Sequence, residues 1–141
     1  MPQMIHEIDI NASPEKVYEA LATQKGLRRW WTANTVADDR VGGEAHFGFD
    51  GGAAVFHMRI AELKPGKRVA WSCRGGQLEW KGTRLTWDIS RAGRGSILQF
   101  THARWRKVSH MFAICNSSWG ELVYRLKATC EGKRPGPRWK R

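Results

Sequence analysis

The chain has 141 residues, 41% hydrophobic and 11% aromatic, which suits one domain with a true core and excludes global disorder. Lys and Arg number 24 against 13 acids, for a net charge of +11 that favours acidic ligands or partners. No helix-turn-helix, zinc-finger, RRM or KH pattern accompanies the charge, so nucleic acid is not an expected partner. No apolar run approaches the ~18 residues that cross a bilayer, so membrane insertion is not expected either.

In chain order, Met4 to Ile10 alternates, with Met4, His6, Ile8 and Ile10 on one face, and reads as a half-buried strand. Ser13 then stands at an N-cap position and Pro14 at the first helical position, where a missing N–H costs nothing. Glu15 adds a carboxylate at the positive end of the helix dipole, and Val17, Ala20 and Leu21 point inward. Gly26 is expected to break this helix from a second short one that ends at Trp30-Trp31. Between Thr32 and Gly43 nothing is periodic.

The middle reads as a meander. Ala45, Phe47 and Phe49 alternate up to an Asp50-Gly51-Gly52 turn, and a strand returns from Ala54 to Leu63 with Phe56, Met58 and Ile60 on one face. Lys64-Pro65-Gly66-Lys67 turns the chain into Val69, Trp71 and Cys73. Leu85, Trp87 and Ile89 form a further strand, and Leu98, Phe100 and His102 the last. The short connections make neighbouring strands antiparallel. After Lys107 the period changes: Val108, Phe112, Cys115, Trp119, Leu122 and Leu126 draw one apolar stripe along a long helix. Residues 1–132 are expected to form the domain. The basic, Gly- and Pro-containing segment 133–141 is expected to be a mobile tail.

The first strand, the Ala12-Ser13-Pro14-Glu15-Lys16-Val17 helix start, the Trp30-Trp31 pair, Trp80-Lys81-Gly82-Thr83, the strand Ser96 to His102 and the closing helix Trp119 to Gly132 follow one another in a familiar order. Together they resemble the START-like, Bet v 1-like superfamily, and within it the branch sharing the C-terminal domain of the Hsp90 co-chaperone Aha1. The resemblance implies an α+β helix-grip fold: a curved antiparallel sheet of about six strands wrapped around a long C-terminal helix, with two short helices after the first strand. It also implies a space between sheet and helix that relatives commonly use for lipids, sterols, polyketides or other apolar compounds.

The residues facing that space are Trp30, Trp31, Phe47, Phe49, Phe56, Met58, Trp71, Trp87, Phe100, His102, Phe112, Cys115 and Trp119, and they are the candidate ligand-binding set. The same rings would serve equally as the packing of a filled core. The five histidines lie on different elements with no metal-ligand spacing, and no cofactor or metal is expected. No nucleophile elbow, P-loop or dinucleotide fingerprint is present. Cavity chemistry would fall to Asp88, Glu79, His102 or His6, and no catalytic residue is assigned.

The leading reading is a module for a hydrophobic or amphipathic small molecule, with a negative charge suiting the basic surface. The Thr32–Gly43 loop and the Gln77–Trp80 turn would form its gate. The alternative is a co-chaperone-like module that offers Arg28-Arg29 and the Arg104–Lys107 patch to an acidic protein partner, without a ligand. A cyclase- or hydrolase-type enzyme ranks third. A homodimer is compatible with the fold. Cys73, Cys115 and Cys130 form no CxxC pair, and no leader pattern opens the chain, which points to reduced thiols and a cytoplasmic location.

Overall fold

The computed structural model describes residues 1–141. Seven strands form one antiparallel sheet: β1 (Met4–Ile10), β2 (Asn34–Ala37), β3 (Glu44–Phe49), β4 (Ala54–Lys64), β5 (Arg68–Gly75), β6 (Arg84–Ala92) and β7 (Gly95–Ala103). Their spatial order is β1-β7-β6-β5-β4-β3-β2. Helices α1 (Pro14–Ala22) and α2 (Gln24–Trp30) carry the chain from one edge of the sheet to the other, and α3 (His110–Cys130) closes the fold. The sheet is curved around α3, which makes this a helix-grip α+β fold. Two register shifts in the β4–β5 pair, at His57/Met58 and Ile60/Glu62, are bulges of the kind that bend a sheet. None of the helices is long and apolar enough to cross a membrane.

The helix starts follow local chemistry. The Ser13 hydroxyl accepts from the Lys16 amide and the Ser109 hydroxyl from that of Phe112. The break between α1 and α2 lies at Thr23, not at Gly26. Thr23 is extended, and its hydroxyl accepts from the Gly26 amide as the N-cap of α2. Gly26 is inside α2 for a packing reason: a Cβ there would stand 2.6 Å from the Cα of Ala20.

The sheet has one strand more than expected. The additional strand, β2, pairs Thr35 with Phe47 and Val36 with His46. Its inward residue is Thr35, fully buried, whose hydroxyl donates to the Thr32 carbonyl at 2.7 Å. A four-residue edge strand with a threonine on its buried face shows no apolar alternation, so periodicity does not reveal it. The long helix also begins later than the stripe implied, and Val108 is exposed ahead of it.

The segment expected as a mobile tail is laid along the body of the protein. Gly132 turns the chain with φ 88°, and Arg125 Nη1 donates to the carbonyls of Pro135 (3.2 Å) and Gly136 (2.7 Å). The Trp139 amide donates to the Trp31 carbonyl at 3.1 Å, and its own carbonyl accepts from Ala33 at 2.9 Å. The Trp139 ring meets Phe49 edge-on at 4.9 Å. One large ring with an apolar partner thus anchors an otherwise polar segment.

Candidate functional site

Between the β3–β4 end of the sheet and the N-terminal half of α3 lies a cavity of about 240 Å³. Its rings are Trp31, Phe49, Phe56, Trp80, Trp119 and Trp139. From α3 it receives slim or flexible side chains, namely Met111, Cys115, Ser118 and Leu122. The polar wall groups Asp50, Gln77 and Ser118 are exposed or half-exposed and mark the mouth. The turn at Gln77–Trp80 is held by the Gln77 side chain, whose Oε1 accepts from the amides of Glu79 (2.7 Å) and Trp80 (3.0 Å). The other side of the mouth is Asp50, where a short 3₁₀ turn joins β3 to β4.

Of the residues that the sequence places toward the space between sheet and helix, Trp31, Phe49, Phe56, Cys115 and Trp119 surround this cavity. Trp30, Phe47, Met58, Trp71, Trp87, Phe100 and His102 lie outside its wall, in the packed core, each at most 2% exposed. Phe112 packs against Trp105 at 5.3 Å between ring centres. Leu122, on the apolar stripe of the long helix, is a further wall residue, and those that periodicity did not mark are Asp50, Ala54, Gln77, Trp80, Met111, Ser118 and Trp139. Two of them carried a signal: Trp80 and Trp139 are tryptophans in turn or polar-tail sequence, where a large ring needs something to cover it.

Beside the cavity a buried polar chain fixes Trp119. The Thr83 hydroxyl donates to the Trp80 carbonyl at 2.6 Å, so its oxygen accepts from His102 Nε2 at 2.9 Å. His102 Nδ1 is then free of a proton and accepts from Trp119 Nε1 at 3.1 Å. Every proton in this chain has a place only if His102 is neutral. Burial pushes its pKa down to about 3, in agreement with that tautomer. His102 therefore orients the Trp119 ring and does not serve as an acid or base near neutral pH.

The other titratable candidates lie apart from the cavity wall. Asp88 points to the outer face, 2.6 Å from Arg68 Nε. His6 Nε2 meets Asn116 Oδ1 at 2.9 Å, and Glu79 is half-buried beside the Gln77–Trp80 turn. Cys115 is the thiol in the wall. Burial raises its pKa, opposed by a bond from Trp80 Nε1 at 3.4 Å, so it is a packing group and a weak nucleophile. Cys73 and Cys130 are buried elsewhere, and burial pushes Cys130 up to about 12.

A curved antiparallel sheet gripping a C-terminal helix, with a ring-lined hollow between them, defines a START-like domain. Within that class, the family described as Activator of Hsp90 ATPase homolog 1-like protein matches residues 11–131, and the chain belongs to this family. The Aha1 dimer from Colwellia psychrerythraea, solved in solution, is 31% identical, with a TM-score of 0.85 over 94% of this chain and 98% of that one. Protein MLL2253 from Mesorhizobium loti has a TM-score of 0.78 at 17% identity, covering 89% of this chain and 94% of its own. CalU16 from Micromonospora echinospora has 0.76 at 18% identity, covering 92% and 76%. These last two share the fold alone. No curated protein sequence matches the chain.

Proposed function

We propose that the protein binds a small, flat apolar or amphipathic molecule in the cavity between the β3–β4 hairpin and α3. The observation that carries this reading is the hollow itself, ringed by Trp31, Phe49, Phe56, Trp80, Trp119 and Trp139 beside a core of buried aliphatic and aromatic side chains. Its volume of about 240 Å³ falls below the roughly 300–1,000 Å³ of pockets for drug-sized ligands. A compound of one or two fused rings fits, and a sterol does not. Burial would drive binding at roughly 25 cal/mol per Å² of apolar surface. The side-chain amide of Gln77 and the Ser118 hydroxyl at the mouth would orient a polar substituent.

The four methionines allow a direct test, because Met111 is in the wall while Met4 and Met58 are in the packed core. In protein labelled at the methionine methyls, titration with indole should move the Met111 signal and leave those of Met4 and Met58 in place. Native mass spectrometry of protein from its own source would identify the natural ligand. If neither indole nor naphthalene moves the Met111 signal at millimolar concentration, the reading fails.

The family description and the likeness to Aha1 favour a second reading, a co-chaperone-like module on an acidic protein partner. The exposed Arg106 and Lys107, together with Arg28, would face that partner. A dimer of this chain, as in the Colwellia relative, belongs to the same reading. The two readings separate on one point: partner binding should survive a cavity-filling change such as Ser118→Phe, and indole binding should not.

A further inference from the structure

A second concavity, about 500 Å³ in volume, lies between α2 and the folded-back C-terminal segment, and none of its wall residues belongs to the cavity above. Arg28 and Arg29 face it from α2, and Lys133 and Arg134 face it from the segment after α3. Thr129, Gly132, Gly136 and Pro137 complete the wall, which contains no carboxylate and no hydrophobic side chain. Arg29 is paired with Glu19 at 2.7 Å. Arg28, Lys133 and Arg134 have no carboxylate within ion-pair distance anywhere in the protein.

Like charges of this kind drift apart on a free chain, and here the fold holds them together. The Lys133 amide donates to the Ala128 carbonyl at 2.9 Å, and Arg125 fixes the carbonyls of Pro135 and Gly136. On the opposite wall, Arg28 Nε donates to the Thr35 carbonyl at 2.8 Å. That bond positions the guanidinium and leaves its two terminal nitrogens available as a fork, the geometry that suits phosphate. The carbonyls at the end of α3 offset only about half a charge. Glu19 pairs with Arg29, and Glu131, itself bonded to Lys127, lies near enough to Lys133 to feel its charge. Neither is part of the wall, and Arg28 and Arg134 have no ion-pair partner.

We propose that this cleft is a binding site for a compact polyphosphate, a small molecule carrying two or more linked phosphate groups. The size suits a di- or triphosphate chain. The wall offers no aromatic ring to stack on a base, so recognition rests chiefly on the charged groups. Lys133 and Arg134 lie beyond the family-matched residues 11–131, so half of the cations of the site come from the segment outside the match.

The test is titration of the whole chain with tripolyphosphate in 0.15 M salt, a buffer in which loose surface attraction is screened beyond about 8 Å. Calorimetry and backbone amide shifts would be the readouts. Saturable one-to-one binding, with shifts centred on Arg28 and residues 132–134, is expected. Arg134→Ala, at an exposed position that holds no structural contact, and Arg28→Ala should each weaken binding about tenfold or more. Arg106→Ala and Lys107→Ala remove equally exposed cations outside the cleft and should change it by less than about twofold. Equal losses from cleft and control variants would show attraction to net charge alone and overturn the proposal, as would the absence of saturable binding at millimolar tripolyphosphate.

Discussion

The two halves of the space between sheet and helix use the same kinds of side chain and end differently. On the β6–β7 side, Trp87 lies 4.1 Å from Phe100 and 5.7 Å from both Trp30 and Trp119, ring centre to ring centre. On the β3–β4 side, Phe49, Phe56 and Trp31 ring a hollow. The difference lies in what α3 brings. Its Trp119 stands between the two and packs on Trp87 and Phe100 of the first half, whereas the turns before it bring only Met111, Cys115 and Ser118 to the second. Aromatic content therefore does not distinguish a filled core from a hollow one; the volume of the facing residues does.

The comparison is tested most strongly by removing one ring from each half. Trp87→Ala should cost about 3–5 kcal/mol, because close-packed neighbours relax only partly into the space. Phe56→Ala, at a half-buried position beside an existing hollow, should cost about 1–2 kcal/mol and widen the cavity. Urea midpoints of the two variants measure the gap. Equal losses would mean that the hollow is as tightly supported as the core.

The pH dependence of stability reports on the packed half through His102. Its folded pKa, about 3, is below the unfolded value of 6.5, so below pH 6.5 the unfolded chain binds a proton that the folded chain refuses. This contribution is complete well above pH 6.5 and is lost at about 1.4 kcal/mol per pH unit below it, so that the loss reaches about 2 kcal/mol at pH 5. His102→Gln removes the titrating group, and the difference between native and variant unfolding free energies from pH 7 to 5 isolates it. A pH-independent difference would mean that His102 takes up its proton in the fold as readily as in the unfolded chain and that the tautomer chain through Thr83 and Trp119 is wrong.

Replacing an indole by a phenyl ring sharpens the same point. Trp119 Nε1 has a partner in His102, whereas Trp87 Nε1 is buried with none. Both changes remove similar volume, but Trp119→Phe also leaves His102 Nδ1 unpaired, while Trp87→Phe removes a donor that was unpaired already. Trp119→Phe should be the more costly by about 1–2 kcal/mol in thermal or urea unfolding. A reversed order would place a partner for the Trp87 N–H inside the folded protein.

Much of this architecture is legible along the chain because its determinants are local. The Ser13-Pro14 start of α1 and the alternation of Val69, Trp71 and Cys73 involve residues a few positions apart. Leu122 and Leu126 likewise sit within one helix. The strand β2 is not legible, since its buried group is a hydroxyl satisfied by Thr32. Nor is the cavity. A void is a difference between side chains brought from distant strands and a helix, and Phe56 and Ser118 have no sequence relation that would reveal the space between them. The fold of the last segment escapes for the same reason: Trp139 pairs with the backbone of Trp31 and Ala33 from the other end of the chain.

That segment supplies the smallest but most specific test of the hollow half. Trp139 is a wall of the cavity held by two backbone hydrogen bonds and one ring contact, so Trp139→Ala should cost only about 1 kcal/mol. Its effect on access should be larger than its effect on stability. Cys115 shares the wall, whereas Cys73 and Cys130 are 2% and 8% exposed in the packed interior. With the indole ring gone, alkylation of Cys115 by iodoacetamide should quicken by roughly threefold or more, while the other two thiols stay protected. Peptide mass mapping after timed exposure reads all three sites at once. Acceleration at all three would indicate general loosening of the fold, and acceleration at none would mean that the Trp139 ring does not limit the path into the cavity. Selective acceleration at Cys115 identifies the last segment as a removable side of the site, because only the hollow half of the interior has a wall that can leave without collapse of the rest.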